Sequence, residues 1–423
     1  MLAPAHCATM VPDSGLPAAS QARARSWRVI HACEFARDVL PVVEGQVAVG
    51  MFPYIVTPHG AGSAELYLSG KDPGPPHPIT LLRSWQDVRS WRKAILDCTP
   101  ETSADLVHAH SFAAGMAAVR SCGCVVYDLQ DCIDELALDS GQCNPGSWIG
   151  RSFRAAEQFV LSRAAAVIVH SLGMKEAAQE RGALVESIFL VPDPLRPDDE
   201  PVPVSSKTPT TAPATVTFLV PQPASSREKM MASSLLVLEG FAAARQDAPE
   251  IRLLLETPAS LRPTLLERVG GLEITRQVRL IDPGEASLAW RNAQVVIALG
   301  NRPADAASAR RPNEVCLKAM RHGLALLAAD LPRNRDVSSS GRGCLWFDAN
   351  NARDLAGRMA FLGGHPDFLS ALARTGHAHL LETRNVAVIG RAYDEAYRFA
   401  VGRKKSAGSG TGLAALHPAA NCA

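Results

Sequence analysis

The sequence predicts an α/β protein built from two doubly wound, Rossmann-like domains. Its 423 residues are more than one compact core usually holds, and they suit two domains with tails. Short apolar strands alternate with amphipathic helices over most of the chain, which is the pattern of parallel sheets covered by helices. A segment rich in Pro, Ser and Thr over residues 195–215 breaks this alternation, which then starts again.

The first half begins with a strand at Arg28–Cys33, a helix with apolar spacing that stops at Gly50, and a second strand. This β-α-β unit of roughly thirty residues indicates parallel strands joined by a right-handed crossover. Further buried strands in this half, with helical patterns between them, are predicted at residues 104–111, 124–131, 165–171 and 187–195.

The second half repeats the alternation, with strands predicted at residues 216–221, 251–256, 277–282, 294–300 and 324–330. A final amphipathic helix follows, and packing back on the first domain is one option for its apolar face. The predicted organisation is a disordered leader at 1–26, a first domain at 27–194, a linker at 195–215, a second domain at 216–385, a C-terminal helix at 386–402 and a disordered tail at 403–423.

Composition disfavours several classes of function. The formal net charge is +1 and aromatic residues are 5% of the chain, so we expect no nucleic-acid partner. No run reaches the roughly 20 apolar residues of a transmembrane helix, and the first 26 residues lack the apolar core of a signal peptide. We expect a cytoplasmic protein, with peripheral contact to a membrane left open.

The ten cysteines are scattered along the chain, without a CxxC pair. Scattered cysteines in a long α/β chain indicate reduced, buried, small apolar side chains. The sequence shows no paired zinc ligands, and no Asp-x-Asp pair ends a predicted strand. We therefore expect neither a metal ion nor another cofactor.

Several sequence blocks follow one another in a defined order. The first half contains DLVHAH, VVYDLQD, SRAAAVIVHS and VPDP, and the second half contains SREKMM and RPNEVCLKAMRHG. In these blocks the chain resembles family 4 glycosyltransferases, over about residues 28–400. The resemblance implies the GT-B fold, in which two Rossmann-like domains face a cleft. It also implies retaining transfer of a hexose from a nucleotide-sugar donor to a glycan or lipid-linked acceptor.

The resemblance implies that cations early in the second domain bind the phosphates of the donor. The first of these in the family is an arginine, and Gln222 stands in its place; the second is a lysine, which Lys229 matches. Gln222 can hydrogen-bond a phosphate but brings no charge, and Arg227 could supply the missing cation. A solvated loop lysine is the equally weighted alternative for Lys229.

The family's best-known motif is a pair of glutamates eight positions apart, and both are replaced by cations here, Arg310 and Lys318. Arg310 and Arg311 precede a predicted helix start and, with Asn313, could form an anion site there. Glu314, also a candidate donor ligand, is more readily explained by pairing with Lys318 one turn later. Exposed loop arginines are the alternative for Arg310 and Arg311.

In the first domain, Gln130 replaces the histidine of the family's Y-D-x-H-D block, so this position cannot carry a proton's charge. Gln130 and His110, which follows a strand, are the candidate catalytic residues; a structural histidine is the alternative for His110. Asp131 is a candidate acceptor ligand or a helix cap. The family's glycine-rich loop after the first strand is missing, and Arg37 nearby is a candidate ligand for an anionic acceptor.

Three functional hypotheses are open at this point. The overall resemblance favours an active retaining glycosyltransferase, which we take as the prediction. A catalytically inactive GT-B protein that assists or regulates a transferase is favoured by four departures, namely the missing glycine loop, Gln130, Gln222 and the cations Arg310 and Lys318. An anionic donor or another phosphorylated ligand would suit the added cations.

Overall fold

The computed structural model describes residues 27–33, 36–57, 60–63, 81–139, 142–193, 215–221, 227–299, 310, 312–338 and 341–409. The predicted leader at 1–26 and nearly all of the predicted linker lie outside these residues. The last helix continues to Ser409, beyond the end predicted at 402.

The first half forms a seven-stranded sheet. Its strand order is β3-β2-β1-β4-β5-β6-β7, and every pair is parallel except β2 with β3. The strands are β1 (Arg28–Ala32), β2 (Phe52–Thr57), β3 (Gly60–Ser63), β4 (Leu106–Ala109), β5 (Val125–Asp128), β6 (Ala166–Val169) and β7 (Ile188–Leu190).

The helices of the first half begin where the sequence supplies caps. Ser111, Ser147 and Ser171 each accept a hydrogen bond from a backbone N–H in the first turn of the helix that follows. The helices are α1 (Ala36–Ala48), α2 (Leu81–Thr102), α3 (Phe112–Val119), α4 (Ile133–Asp139), α5 (Trp148–Arg163) and α6 (Leu172–Glu180).

The second half forms a six-stranded parallel sheet in the order β10-β9-β8-β11-β12-β13. Its strands are β8 (Thr217–Val220), β9 (Arg252–Glu256), β10 (Val278–Ile281), β11 (Val295–Ala298), β12 (Ala325–Ala329) and β13 (Cys344–Phe347). Its helices are α7 (Arg227–Asp247), α8 (Arg262–Gly271), α9 (Ala286–Asn292), α10 (Glu314–Arg321), α11 (Pro332–Arg335), α12 (Ala352–Gly364), α13 (Pro366–Arg384) and α14 (Val386–Ser409).

Both sheets reverse their strand order next to their first strand, between β1 and β4 in one and between β8 and β11 in the other. This reversal is the mark of a doubly wound sheet, and ligands bind outside the carboxyl ends of the strands there. The predicted α/β class with two doubly wound domains is therefore confirmed.

Helix α14 returns to the first half. It buries one face, including Ile389, Tyr393 and Tyr397, in a cluster with Trp27 and Val126. The first sheet is thus covered by the last helix of the chain. Among the described residues, no helix combines the length and the apolarity that a membrane-spanning segment needs.

Candidate functional site

A cavity of about 700 Å³ lies at the carboxyl edge of the second sheet. Leu299, Ala329 and Phe347, at the ends of β11, β12 and β13, line it, and α7 contributes Lys229 and Ser233. The carboxyl ends of parallel strands are where doubly wound sheets bind ligands, so the cavity stands where a donor would be expected.

The first turn of α7 holds two of the predicted donor residues. Lys229 lines the cavity and is half-buried, whereas Arg227 is exposed at the start of the helix. A helix start concentrates partial positive charge and unpaired N–H groups, and Lys229 adds an ammonium to it. This arrangement is suited to an anion such as a diphosphate.

Asn313, predicted as a donor ligand, caps α10. Its Oδ1 accepts a hydrogen bond from the backbone N–H of Val315 at 3.0 Å, and its Nδ2 donates to Asn334 Oδ1 at 2.7 Å. Asn334 in turn donates to the carbonyl of Ala329 at 2.8 Å. Asn313 is buried and its amide fixes the start of α10, while its role as a donor ligand stays a prediction.

The structure describes only some of the other residues predicted to bind the donor. Glu314 stands exposed in the first turn. The Nζ of Lys318 lies 4.5 Å from the centroid of the Trp290 ring, which is a cation–π contact. Arg311 and Gln222 lie outside the described residues.

Arg310 contacts the first domain. Its Nε lies 3.1 Å from both carboxylate oxygens of Glu135, and its Nη2 lies 3.2 Å from Glu180 Oε2. Two carboxylates therefore neutralise the charge that was predicted to bind the donor. The sequence could not show this pairing, because Glu135 and Arg310 are 175 positions apart.

The two halves meet at the start of α6. The Ser171 hydroxyl donates to the carbonyl of Arg310, and the backbone N–H of Leu172 donates to Asp336 Oδ1 at 2.9 Å. Gly173 lies so close to this segment that a Cβ on it would be 3.0 Å from the carbonyl oxygen of Arg310. These contacts bring the carboxyl edge of the first sheet to the second half.

A buried cluster of charges lies behind Arg310. Arg181, 1% exposed, has Nη2 at 2.8 Å from Asp134 and 3.0 Å from Glu135, and Nε at 2.9 Å from Glu157. Glu135 is thus shared between Arg181 and Arg310. Burial raises the pKa of Glu157 to about 8, so this carboxyl is mostly protonated at neutral pH.

We expect Glu157 to contribute a component of the stability that falls as pH rises through this range. Between its ordinary pKa of 4.5 and the folded value of about 8, the unfolded chain loses a proton that the folded chain keeps. This contributes a slope of up to about 1.4 kcal/mol per pH unit to the free energy of unfolding. Glu157→Gln should remove that slope in denaturant titrations from pH 5 to 8, whereas Glu267→Gln, at an exposed position, should keep it. An unchanged slope in Glu157→Gln would contradict the assignment.

Asp128 organises the carboxyl edge of the first sheet. Its Oδ1 accepts a hydrogen bond from His170 Nε2 at 2.7 Å, and its Oδ2 accepts from His110 Nδ1 at 2.9 Å and from Gln130 Nε2 at 3.4 Å. The structure thus brings both candidate catalytic residues to one carboxylate. Gln130 is exposed at the strand end, whereas His110 is buried behind it.

His170 carries a positive charge at this edge. Its Nδ1 lies 2.7 Å from the carbonyl oxygen of Val191, which can only accept, so both ring nitrogens bear hydrogen. Burial favours the neutral ring, but Asp128 and Asp193 outweigh it and raise the pKa of His170 to about 10. The Asp128–His170 ion pair therefore places a buried carboxylate next to the Gln130 amide, whose Nε2 lies 3.4 Å from Asp128 Oδ2.

The two predicted acceptor ligands of the first domain are Asp131 and Arg37. Asp131 is half-buried beside Gln130, and Arg37 lies in α1 with its side chain outside the described residues. Deeper in the domain, one ring nitrogen from each of His31, His108 and His110 lies within 4.8 Å of the others, a grouping that could hold a metal ion.

Sequence reasoning missed Asp128, His170 and Glu135. The first two had a visible signal, because each is a polar residue at or directly after the end of an apolar strand. Glu135 offered none, since an acidic residue in the first turn of a helix is ordinary.

Comparison with known proteins gives one family match and many structural ones. Residues 69–194 match the family model of the glycosyl transferase 4-like domain. No curated protein matches the sequence. A glycosyltransferase from Rickettsia africae ESF-5 shares the fold with a TM-score of 0.57 and 12% identity, over 88% of this chain and 98% of that one.

Two further structures resemble the chain along its length. Sucrose-phosphate synthase from Thermosynechococcus elongatus has a TM-score of 0.55 and 14% identity, over 88% of this chain and 98% of its own. Anabaena HepE in complex with UDP has a TM-score of 0.56 and 13% identity, over 87% and 98%. These likenesses confirm the predicted resemblance to glycosyltransferases and the two-domain fold.

Proposed function

We propose that this chain, whose residues 69–194 match the glycosyl transferase 4-like domain and whose described residues adopt a GT-B fold, transfers a hexose from a nucleotide-sugar donor to a glycan or lipid-linked acceptor with retention. The observation that carries the proposal is the cavity at the carboxyl edge of the second sheet, with Lys229 in its wall at the start of α7.

In this reaction the cavity must bind the diphosphate that leaves the sugar. The anomeric carbon exchanges its bond to a phosphate oxygen for a bond to an acceptor oxygen, and the acceptor's proton leaves with the diphosphate. Negative charge therefore grows on the phosphates, where a fixed cation and helix N–H groups stabilise it most. Lys229 and the first turn of α7 supply both, and Arg227 stands in the same turn.

The first domain contributes Gln130 to this proposal. Its exposed amide can hydrogen-bond a sugar hydroxyl or a phosphate oxygen, and Asp128 orients it. His110 is buried and holds Asp128, so we assign it a positioning role. Arg37 and Asp131 remain the proposed acceptor ligands, and the donor cavity needs no resident metal in this scheme.

We propose the cytoplasm as the place of the reaction. Each of the eight cysteines in the described part of the chain is a thiol rather than half of a disulfide, which suits a reducing compartment. Peripheral contact with a membrane would bring the enzyme to a lipid-linked acceptor.

Calorimetric titration of the full chain with UDP, GDP and ADP tests the proposal. UDP comes first, because structures of HepE hold UDP and UDP-glucose. We expect one nucleotide to bind, and Lys229→Met to weaken it roughly 10- to 100-fold, since a charged hydrogen bond contributes about 1.5–3 kcal/mol. Lys93→Met, at an exposed position on α2, should leave the affinity unchanged. No heat with any nucleotide would refute the proposal and direct the search to protein partners.

A further inference from the structure

Three buried histidines meet between neighbouring strands of the first sheet. β1 and β4 are parallel, and their register places His31 directly beside His108. Side chains two positions apart share one face of a strand, so His110 follows on the side of His108. All three rings lie inside the protein, with relative exposures of 0%, 0% and 7%.

Each ring is anchored through one nitrogen. His31 Nε2 lies 2.8 Å from Gln46 Oε1, His108 Nδ1 lies 2.8 Å from the Tyr397 hydroxyl, and His110 Nδ1 lies 2.9 Å from Asp128 Oδ2. Gln46 is oriented by its own Nε2, which donates to the Tyr397 hydroxyl at 2.8 Å. Its carbonyl therefore faces His31.

These anchors decide where the ring hydrogens lie. The Gln46 carbonyl and the Asp128 carboxylate only accept, so His31 carries hydrogen on Nε2 and His110 on Nδ1. Their other nitrogens, His31 Nδ1 and His110 Nε2, then present lone pairs to each other across 2.9 Å. Two lone pairs at that distance repel unless a cation lies between them.

A metal ion between these two nitrogens would also reach the third histidine, because the ring centroids of His108 and His110 lie 4.0 Å apart. His108 Nε2 is moreover buried without a hydrogen-bond partner among the described residues, as is the hydroxyl of Tyr393, whose ring lies 5.5 Å from that of His108. A buried polar atom without a partner is unfavourable, and a bound metal ion would give His108 Nε2 a partner.

We propose that His31, His108 and His110 bind one divalent transition-metal ion, foremost Zn²⁺, through His31 Nδ1, His108 Nε2 and His110 Nε2. Zinc takes imidazole nitrogens at about 2.0–2.1 Å in a tetrahedron. One ring nitrogen from each histidine already lies within 4.8 Å of the other two, so small ring movements complete the site. A water fills the fourth position, beside the Tyr393 hydroxyl.

The residues around the three histidines would also hold the rings in position for such a site. Metal-bound histidines donate their second nitrogen to a carboxylate, a carbonyl or another fixed acceptor, and Asp128, Gln46 and Tyr397 fill these three places. The ion would tie β1 to β4, and through Gln46 and Tyr397 it would tie α1 to α14. Its role is structural, and it lies in the other domain from the proposed donor cavity.

The test uses the full chain, stripped of metal under denaturing conditions and refolded with and without Zn²⁺, because the buried site gives a folded chain little access. We expect one zinc per chain after dialysis and a higher unfolding temperature with zinc. His108→Asn keeps an N–H for Tyr397 but lacks Nε2, and should weaken zinc binding roughly 100-fold or more. His31→Gln, which keeps the contact with Gln46, should do the same if His108→Asn fails to fold.

His377→Asn is the matched control, because it keeps the contact of His377 Nδ1 with the Met320 carbonyl in the second domain. It should bind zinc like the wild type. Loading with Co²⁺ should give a four-coordinate spectrum without thiolate charge transfer, which separates these histidines from the cysteines. A refolded wild type without stoichiometric zinc would overturn the proposal, as would undiminished binding in both folded ligand variants. Nucleotide binding at the Lys229 cavity is measured separately and does not depend on this result.

Discussion

Replacing Gly390 by alanine should lower the free energy of unfolding by about 3 kcal/mol, at the upper end of what overpacking usually costs. Helices α1 and α14 cross with their backbones in contact at Gly45 and Gly390. A Cβ on Gly390 would lie 2.3 Å from the carbonyl oxygen of Gly45, and one on Gly45 would lie 2.4 Å from that of Val386. The obstacle on each side is backbone, so no side chain can rotate away and the helices must separate.

Separation of these helices would disturb more than one contact. The buried face of α14 closes the apolar cluster on the first sheet. Trp27 Nε1 donates to Asp394 at 2.7 Å, and the Tyr397 hydroxyl meets both Gln46 and His108. A shift of α14 lengthens these buried hydrogen bonds together, which is why we expect a large effect from one methyl group.

Gly402→Ala is the matched control, because Gly402 lies in the same helix with nothing within 4 Å of its added Cβ. Alanine there should stabilise the helix by up to about 1 kcal/mol. Denaturant unfolding followed by circular dichroism compares the two variants. Equal stability of Gly390→Ala and Gly402→Ala would show that the helices are not in backbone contact.

Much of the fold could be predicted because the spacing of apolar residues along the chain differs between strands and helices. Apolar strands with helices between them predicted both sheets, and their parallel arrangement follows from the crossover helices. The strands β3 and β13 and the helices α4, α11 and α13 were missed. β13 is only four residues long and follows the turn at Gly343, so its run of apolar residues is too short to indicate a strand. α13 is separated from α12 by His365 alone, so the apolar spacing does not show where one helix ends and the next begins.

The candidate site could be predicted only where it lies at strand ends. The rule that ligands meet the carboxyl ends of strands pointed to His110, and the family block pointed to Gln130; the structure brings both to Asp128. The rule could not find His31, because His31 and His108 come together only through the pairing of β1 with β4, which are not consecutive strands. Arg310 was predicted as a possible anion ligand from its place before a helix start, and its contacts with Glu135 and Glu180 could not be predicted because both glutamates lie in the other half of the chain.

Arg181→Met should be the most damaging single substitution in the charged cluster, lowering the free energy of unfolding by about 3–5 kcal/mol. Its guanidinium lies 2.8 to 3.0 Å from Asp134, Glu135 and Glu157, and it is almost fully buried. Methionine fills a similar length but leaves these carboxyl groups facing one another without water. Arg310 reaches only Glu135 among them, so it cannot replace the lost charge.

Arg268→Met is the matched control. It removes an arginine from an exposed ion pair and so shows whether the stability lost in Arg181→Met depends on burial. Arg268 lies 2.8 Å from Glu239, and both side chains are more than 40% exposed. An exposed pair contributes about 0–1 kcal/mol, so this variant should unfold almost like the wild type. Comparable losses in Arg181→Met and Arg268→Met would contradict the role of burial.

A double variant tests the electrostatic cause itself. If the damage in Arg181→Met comes from crowded carboxylates, removing one ionisable group should relieve it, and Glu157→Gln removes the most deeply buried of them. Glu157 already holds its proton at neutral pH in the wild type, because burial raises its pKa to about 8. Measured against the effect of Glu157→Gln alone, the extra rescue in the Arg181→Met background should be small at pH 6, where folded Glu157 is protonated in either background. It should grow as pH rises toward 9, because the unfolded chain favours the ionised carboxylate while the cluster without Arg181 resists it. A rescue of equal size at both pH values would instead assign the loss to the shape of the methionine side chain.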